Sequence, residues 1–131
     1  KAFRNKKIAF DESIYKRLEN VTIENNDAVK VITAYDTEDA FHYIDPPYIN
    51  SDQGLYEGYT ERDYTKLLDT LSTIKGTFLL SSYPSDILDE YIQKNGWYSK
   101  RFEKPLNASK GKLGEARTSK KVEVLTANYP I

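Results

Sequence analysis

Hydrophobic and polar residues along the chain follow two spacings, one typical of strands and one typical of helices. Short apolar runs rich in β-branched and aromatic residues predict five strands, at 21–24, 40–44, 77–81, 97–102 and 122–129. Apolar residues three or four positions apart predict four helices, at 11–19, 28–34, 60–74 and 85–95. Strands that alternate with helices in this way predict an α/β fold with a mostly parallel sheet.

Capping residues mark the starts of two predicted helices. Thr60 and Asp63 have the spacing of a capping box, and Ser85 stands where it caps the following helix. The helix after Thr60 has one apolar face, formed by Tyr64, Leu67, Leu68 and Leu71. The nearly all-apolar run 77–81 is typical of a strand buried on both faces. The segments 49–60 and 104–119, rich in small or charged residues, are predicted to be loops.

The apolar strand 40–44 ends at the tetrapeptide Asp45-Pro46-Pro47-Tyr48. The two prolines prevent further strand pairing and force a turn. Ligands in parallel α/β sheets bind beyond the carboxyl ends of strands, which is the position of Asp45. A simpler interpretation is that the prolines only end the strand and that Tyr48 packs in the core.

The same four residues fit the chemistry of methylating an exocyclic amine. The N6 of adenine is a poor nucleophile because its lone pair is delocalised into the ring, and the base must leave the helical stack to be reached. The Asp45 carboxylate and the Pro46 carbonyl are two acceptors for the N6 protons, and the Tyr48 ring is a stacking platform. The prolines fix the backbone, so that these groups are preorganised.

Charged residues are segregated along the chain, although the net charge is only −1. Residues 1–7 carry a net charge of +4, residues 8–93 carry −11, and residues 94–121 carry +7. Such polarity can create a positive face on a nearly neutral protein. This face is interpreted either as a nucleic-acid surface or as a solvated Lys-rich loop.

The composition excludes several kinds of site. The chain has no cysteine, which excludes disulfides and thiolate metal sites. Its single histidine, His42, excludes a His-based metal cluster, and the alternation of His42 with Phe41 and Tyr43 predicts that it packs in a strand. No apolar run reaches the ~20 residues of a membrane span, so no membrane or metal partner is expected. These features fit a protein of the cytoplasm.

From about Leu18 to Ile131 the sequence resembles the Dam-like, D12 class of adenine-N6 DNA methyltransferases. The segments that carry the resemblance are 18–28, 41–48, Tyr59 with Asp63-Tyr64, 77–82 and 122–129. The resemblance implies a partial Rossmann-like, S-adenosylmethionine-dependent methyltransferase fold with an antiparallel terminal strand. It also implies a bacterial or phage enzyme of the cytoplasm, associated with the nucleoid, of the kind found in restriction-modification; the sequence does not say whether a restriction enzyme is a partner.

The resemblance further implies roles for individual residues. In the catalytic segment Asp45-Pro46-Pro47-Tyr48, Asp45 would hold the target N6 near the methyl donor and Tyr48 would stack on the flipped adenine. Asp27 and Ala28 would lie by the adenine of S-adenosylmethionine, although a purely turn-forming role of Asp27 is an equal alternative. Contacts with double-stranded DNA are expected from Tyr48, Tyr56, Tyr59, Lys110, Lys112, Arg117, Lys120 and Lys121. Packing in the core or at its rim is an equal alternative for Tyr56 and Tyr59.

The chain departs from the family pattern in one respect that concerns the cofactor. The family's glycine-rich Phe-x-Gly-x-Gly turn, which wraps the methionine part of the cofactor, does not occur in these residues. We therefore expect residues 18–131 to be the C-terminal catalytic part of the methyltransferase domain and residues 1–17 to be the tail of a target-recognition domain. The cofactor site is expected to be incomplete, methyl transfer by these residues alone to be slight, and the missing N-terminal half or a second copy to be a partner.

Two other classes of protein remain open at this point. A related amino methyltransferase acting on cytosine N4 or RNA more often has Ser or Asn at the position of Asp45, so the aspartate favours adenine in DNA. An inactive remnant or a partner-binding module is favoured by the missing glycine-rich turn.

Overall fold

A computed structural model of the chain describes residues 16–49, 58–105 and 120–131. Three helices occur in these ranges: α1 (Ala28–Tyr35), α2 (Glu61–Leu71) and α3 (Asp86–Asn95). Four strands accompany them: β1 (Phe41–Ile44), β2 (Thr77–Ser82), β3 (Tyr98–Pro105) and β4 (Lys120–Ala127). Residues 16–18 are also helical, whereas the rest of the helix predicted from residue 11 lies outside the described residues. The α/β prediction is confirmed.

The four strands form one mixed sheet in the order β1-β2-β4-β3. β1 and β2 are parallel, whereas β4 is antiparallel to both of its neighbours. The parallel pairing predicted for most of the sheet therefore holds only for β1 and β2. The antiparallel terminal strand is confirmed. Because β4 lies between β2 and β3, two of the three strand pairings in the sheet are antiparallel.

Local capping sets the bounds of α2 and α3. The Thr60 hydroxyl accepts a bond from the Asp63 backbone N–H at 3.3 Å, and the Asp63 carboxylate accepts one from the Thr60 N–H at 2.9 Å. This reciprocal pair is the capping box predicted from sequence. Ser85 caps α3, which ends at Gly96 in the left-handed region at φ 67°. Helix α2 ends at Leu71, three residues before the predicted end, and Ser72 caps it.

The core lies between the sheet and the helices α2 and α3. The apolar face predicted for α2 is buried, with Tyr64, Leu67, Leu68 and Leu71 at most 3% exposed. It packs in one cluster with Phe78 and Leu80 of β2 and with Trp97. The Phe78 and Trp97 rings meet edge to face, with centroids 4.9 Å apart. This cluster fixes β2, which in turn fixes the parallel neighbour β1.

The strand predicted at 21–24 is wrong. The residues have no regular secondary structure, and the two apolar side chains Val21 and Ile23 are 53% and 90% exposed. Alternating apolar residues form a strand only when a neighbouring strand and a core face are present, and this segment pairs with none of the strands β1 to β4. Asp27 therefore does not follow a strand end.

Asp36, directly after α1, ties the start of β2 to the segment before β1. Its carboxylate accepts bonds from the backbone N–H groups of Lys75, at 2.8 Å, and Gly76, at 3.0 Å. His42 Nε2 lies 3.5 Å from the same carboxylate. The two backbone bonds, followed by His42, hold the pKa of Asp36 below its ordinary value.

This lowered pKa predicts how stability depends on pH. A carboxyl with a depressed pKa in the folded state stabilises the protein above its unfolded pKa of ~3.9 and loses that contribution as the pH falls through the folded pKa. In thermal unfolding, we expect Asp36→Asn to lower the melting temperature at pH 7, and the difference from wild type to shrink below pH ~3.9. Asp39→Asn, which changes a nearby exposed acid, is the control. A difference between wild type and Asp36→Asn that stays constant from pH 7 to strong acid contradicts this assignment.

Candidate active site at the end of the first strand

The tetrapeptide Asp45-Pro46-Pro47-Tyr48 leaves the end of β1 without helical or strand structure. Neither proline has an N–H that could extend the pairing of β1 with β2. Asp45 is exposed, whereas the three residues after it are half-buried. The segment therefore ends strand pairing at the carboxyl end of β1 and leaves Asp45 exposed there.

Three contacts fix the Tyr48 side chain. Its hydroxyl donates to Asp45 Oδ1 at 3.0 Å and lies 3.1 Å from Ser81 Oγ. Its ring packs against Tyr83, with centroids 4.2 Å apart and planes tilted by 40°. Burial raises the pKa of Tyr48, the bond to Asp45 raises it further and Ser81 opposes the rise, so the phenol is protonated at neutral pH. Tyr48 is thus an oriented ring with an ordered hydroxyl.

Neither Ser81 nor Tyr83 was predicted as a site residue. A signal for Ser81 does exist in the topology, since the parallel register places Ile44 beside Leu80 and therefore Asp45 beside Ser81. Sequence alone does not give this register, because it depends on which two strands are neighbours. The carboxyl ends of β1 and β2 together build the site.

A cavity of about 1060 Å³ opens beside β1 and α1. Ligand pockets for small molecules are usually ~300–1,000 Å³, so the cavity is large enough for a nucleoside with an attached amino acid. Its wall combines apolar side chains such as Ile32, Ile44 and Leu67 with the carboxylates of Glu24, Asp27, Asp45 and Asp63. Of the predicted site residues, Asp27, Ala28, Asp45, Pro46, Pro47 and Tyr59 line it. Tyr48 does not line the cavity but bonds to Asp45, which does.

Asp27 caps the N-terminus of α1 instead of following a strand. Its carboxylate accepts a bond from the Lys30 backbone N–H at 3.3 Å, and Asp27 is exposed at the cavity wall. Local backbone bonding, the alternative considered from sequence, is therefore observed. It does not compete with ligand binding, because a carboxylate has about four lone-pair positions and this bond uses one.

Tyr59 places a phenol at the cavity wall. Its hydroxyl is buried, and no partner for it occurs among the residues that the structure describes. Burial, followed by the nearby Tyr64 and then by Asp63 and Asp27, raises the pKa of Tyr59 to about 12. Tyr59 is therefore neutral, and its hydroxyl is an available hydrogen-bond donor.

Glu24 and Tyr35, which the sequence analysis did not single out, also line the cavity. The Tyr35 hydroxyl donates to Glu24 Oε1 at 3.0 Å, and Asn26 Nδ2 donates to Glu24 Oε2 at 2.8 Å. The bond to Glu24 raises the pKa of Tyr35. These bonds fasten the irregular segment before α1 to the end of that helix.

The residues predicted to contact DNA divide into three groups. Tyr59 lines the cavity and Tyr48 adjoins it through Asp45, as described above. For Lys120 and Lys121 the structure gives backbone positions in β4, opposite Pro105 and Lys104. The remaining four, Tyr56, Lys110, Lys112 and Arg117, lie outside the described residues.

The register places the start of β4 near the tetrapeptide. Ser82, the last residue of β2, lies opposite Val124, so residues 120–123 continue past β2. At ~3.3 Å per residue this extension is roughly 13 Å long. It projects from the same end of the sheet as Asp45, because β1 and β2 run in the same direction.

His42, predicted to pack in the strand, also lines the cavity. Within the described residues no three His, Cys, Asp or Glu side chains are grouped so that they could bind a metal ion. No helix in the same residues is long and apolar enough to cross a membrane.

Comparisons with known proteins give one family. The model of the D12 class N6 adenine-specific DNA methyltransferases matches residues 1–105. A search of curated proteins and one of solved structures gave no match. The match includes the tetrapeptide, Asp27, Ala28, Tyr59 and Ser81.

Proposed function

Because the chain belongs to the family of D12 class N6 adenine-specific DNA methyltransferases, we propose that Asp45-Pro46-Pro47-Tyr48 holds a flipped adenine of DNA. The observation that supports this most is the position of Asp45. It follows a parallel strand, faces the cavity and bonds to an oriented tyrosine. Within an adenine-N6 methyltransferase, this arrangement matches the needs of the target amine.

In this proposal, two acceptors bind the two protons of the adenine amine. The Asp45 carboxylate is one, and its Oδ1 accepts from Tyr48 before the base arrives. The Pro46 carbonyl is the other, held by two successive proline rings. Two bonds from the amine draw its lone pair out of the ring and aim it at a methyl group. Because these acceptors are fixed before the base arrives, little reorganisation is needed.

The Tyr48 ring stacks on the flipped base. Tyr83 packs against the Tyr48 ring and supports it, so that the ring keeps its orientation when the base arrives. Base–aromatic stacking contributes ~1–3 kcal/mol and does not depend on the identity of the base. Stacking therefore contributes affinity for any base, whereas the hydrogen bonds to the amine make the site selective for adenine.

The cavity receives S-adenosylmethionine, the methyl donor of this family, which supplies an electrophilic methyl group when bound. The side chains that line the cavity fit this molecule. Carboxylates such as Asp27 and Glu24 suit ribose hydroxyls and ammonium groups, and apolar residues suit a purine ring. Asp27 and Ala28 would hold the adenosine part, and Asp45 would lie near the methyl group. Without the glycine-rich turn we expect this binding to be weak.

Double-stranded DNA would lie across the end of the sheet that carries Asp45. The paired ends of β3 and β4 project there, and their sequence includes Lys104, Lys120 and Lys121. Lysines near a projecting arm suit contact with phosphates, which position DNA without reading its sequence. The base itself is selected at the tetrapeptide.

A second candidate function is binding of a protein partner without catalysis. β1 stands at the edge of the sheet, and its Phe41 and Tyr43 are 57% and 62% exposed. An edge strand with exposed apolar residues is suited to pairing with another chain, either a second copy or a half that supplies the glycine-rich turn. This pairing is compatible with the first proposal if it completes the cofactor site.

Calorimetry with S-adenosylmethionine tests the cofactor part of the proposal. We expect weak, saturable binding that Asp27→Ser weakens about tenfold, because the charged acceptor is lost. Serine is an equally good N-cap, so α1 keeps its capping bond. Asp39→Ser is the control for loss of an exposed acid. Equal affinities of wild type and Asp27→Ser contradict the role of Asp27, and the absence of saturable heat with wild type contradicts the cofactor assignment.

A further inference from the structure

The hydrogen bonds around Tyr48 have a definite direction. An ionised carboxylate only accepts, so the Tyr48 hydroxyl donates its one proton to Asp45. The contact between Tyr48 and Ser81, at 3.1 Å, must then use the proton of Ser81. The chain of bonds therefore runs from Ser81 to Tyr48 to Asp45.

Ser81 is fixed more firmly than the other two members of this chain. It is 7% exposed and lies in β2, which pairs with a strand on each side. Its neighbours across the sheet are set by the register, in which it lies opposite Leu125 of β4. The serine hydroxyl can rotate, and it can donate or accept without any movement of the backbone.

When the adenine amine binds to Asp45, the Tyr48 hydroxyl needs a different hydrogen-bond acceptor. The amine and the Tyr48 hydroxyl are both donors, and an amine that approaches Asp45 Oδ1 meets the hydroxyl already bonded to that oxygen. A half-buried phenol that loses its acceptor is costly, because an unpaired polar group loses its hydration without compensation. The Ser81 oxygen is close enough to accept the proton that Tyr48 no longer gives to Asp45.

We propose that Ser81 is a positioning residue that exchanges roles when the target amine binds. Before binding it donates to Tyr48, and after binding it accepts from Tyr48, which frees Asp45 for the amine. This inference rests on the proposed function of Asp45. The Tyr48 oxygen stays within reach of Ser81 in both states, so the ring that stacks on the base keeps its orientation.

The test compares two nucleosides that differ only in the amine: 2′-deoxyadenosine, the adenine probe, and purine 2′-deoxyriboside, the purine probe. Affinities are measured by NMR titration of the 131-residue chain. Ser81→Ala is expected to weaken binding of the adenine probe about tenfold, the cost of one unpaired buried hydroxyl. Binding of the purine probe should not change, because this probe has no amine and the Tyr48 hydroxyl therefore keeps its hydrogen bond to Asp45. Ser81→Thr keeps the hydroxyl and should retain wild-type selectivity.

A double-mutant cycle with Tyr48→Phe separates positioning from mere packing. Phenylalanine has no hydroxyl to satisfy, so Ser81→Ala should have no effect on either probe in the Tyr48→Phe background. Ser82→Ala is the matched control, since Ser82 is also buried, at 3% exposed, but, as the next residue in the strand, lies on the opposite face of the sheet. Thermal unfolding of each variant checks that it is folded.

The outcomes for Ser81 and for the proposed function are distinct. If the wild-type chain does not prefer the adenine probe, the proposed function fails and the exchange by Ser81 fails with it. If wild type prefers adenine and Ser81→Ala does so equally, only the inference about Ser81 is overturned. The inference about Ser81 is also overturned if Ser81→Ala loses affinity equally for both probes, or if its loss of affinity persists in the Tyr48→Phe background.

Discussion

Replacing Asp45 with alanine is expected to remove most of the preference of the chain for the adenine probe over the purine probe. A hydrogen bond to a charged acceptor contributes ~1.5–3 kcal/mol, which corresponds to about 10- to 150-fold in affinity. Because Asp45 is exposed, we expect the lower end, about tenfold, for the wild-type preference. Asp45→Ala should reduce the ratio of the two affinities to about two, because the Pro46 carbonyl still accepts one weaker, neutral bond from the amine. Binding of the purine probe should persist through stacking on Tyr48.

Two controls accompany this variant. Asp39→Ala removes an exposed acid outside the cavity and should leave the preference unchanged. Asp45→Asn keeps an oxygen acceptor but loses the charge, so its preference should be intermediate. A preference in Asp45→Ala as large as that of wild type would mean that Asp45 does not bind the amine.

Replacing Gly76 with alanine is expected to cause a large loss of stability. A β-carbon at Gly76 would lie 2.5 Å from the Ala40 carbonyl oxygen and 2.8 Å from that of Thr37. Both are backbone atoms just before β1, and one is bonded to Thr77 N–H at 2.9 Å, so neither moves without disturbing the pairing of β1 and β2. Overpacking of this kind costs about 2–4 kcal/mol in the free energy of unfolding.

Chemical denaturation measures this loss. The matched control is Lys75→Ala, which changes an exposed side chain next to Gly76 and keeps its backbone bond to Asp36. The folded fraction of Gly76→Ala should still prefer the adenine probe, because Gly76 lies at the end of the sheet opposite to Asp45. Wild-type stability in Gly76→Ala contradicts the close packing of β2 against the segment before β1.

The elements that the sequence predicts well are those whose signals are local. The Thr60 and Asp63 capping box and the buried face of α2 follow from spacing within one helix, and both are confirmed. The end of β1 at Asp45 is equally local, because prolines stop a strand whatever its neighbours are. Sequence therefore predicts the segment that carries the proposed chemistry and the helix α2, which lines the same cavity.

The elements that sequence misses depend on partners distant in the chain. Alternation at 21–24 predicts a strand, yet a strand also needs a neighbour, and Ile23 is 90% exposed. The place of β4 between β2 and β3 decides two of the three pairings and is invisible in the apolar pattern. Ser81 and Tyr83 join the site only through the register of β2 with β1, which no local signal encodes.

The central claim is that the segment from Asp45 to Tyr48 recognises an exocyclic amine. The most direct measurement is the ratio of the wild-type affinities for 2′-deoxyadenosine and purine 2′-deoxyriboside, two ligands that stack alike and differ only in that amine. We predict that the wild-type chain binds 2′-deoxyadenosine about tenfold more tightly, with NMR shifts centred on Asp45 and Tyr48. Equal affinities, or shifts that leave these residues untouched, would contradict the account.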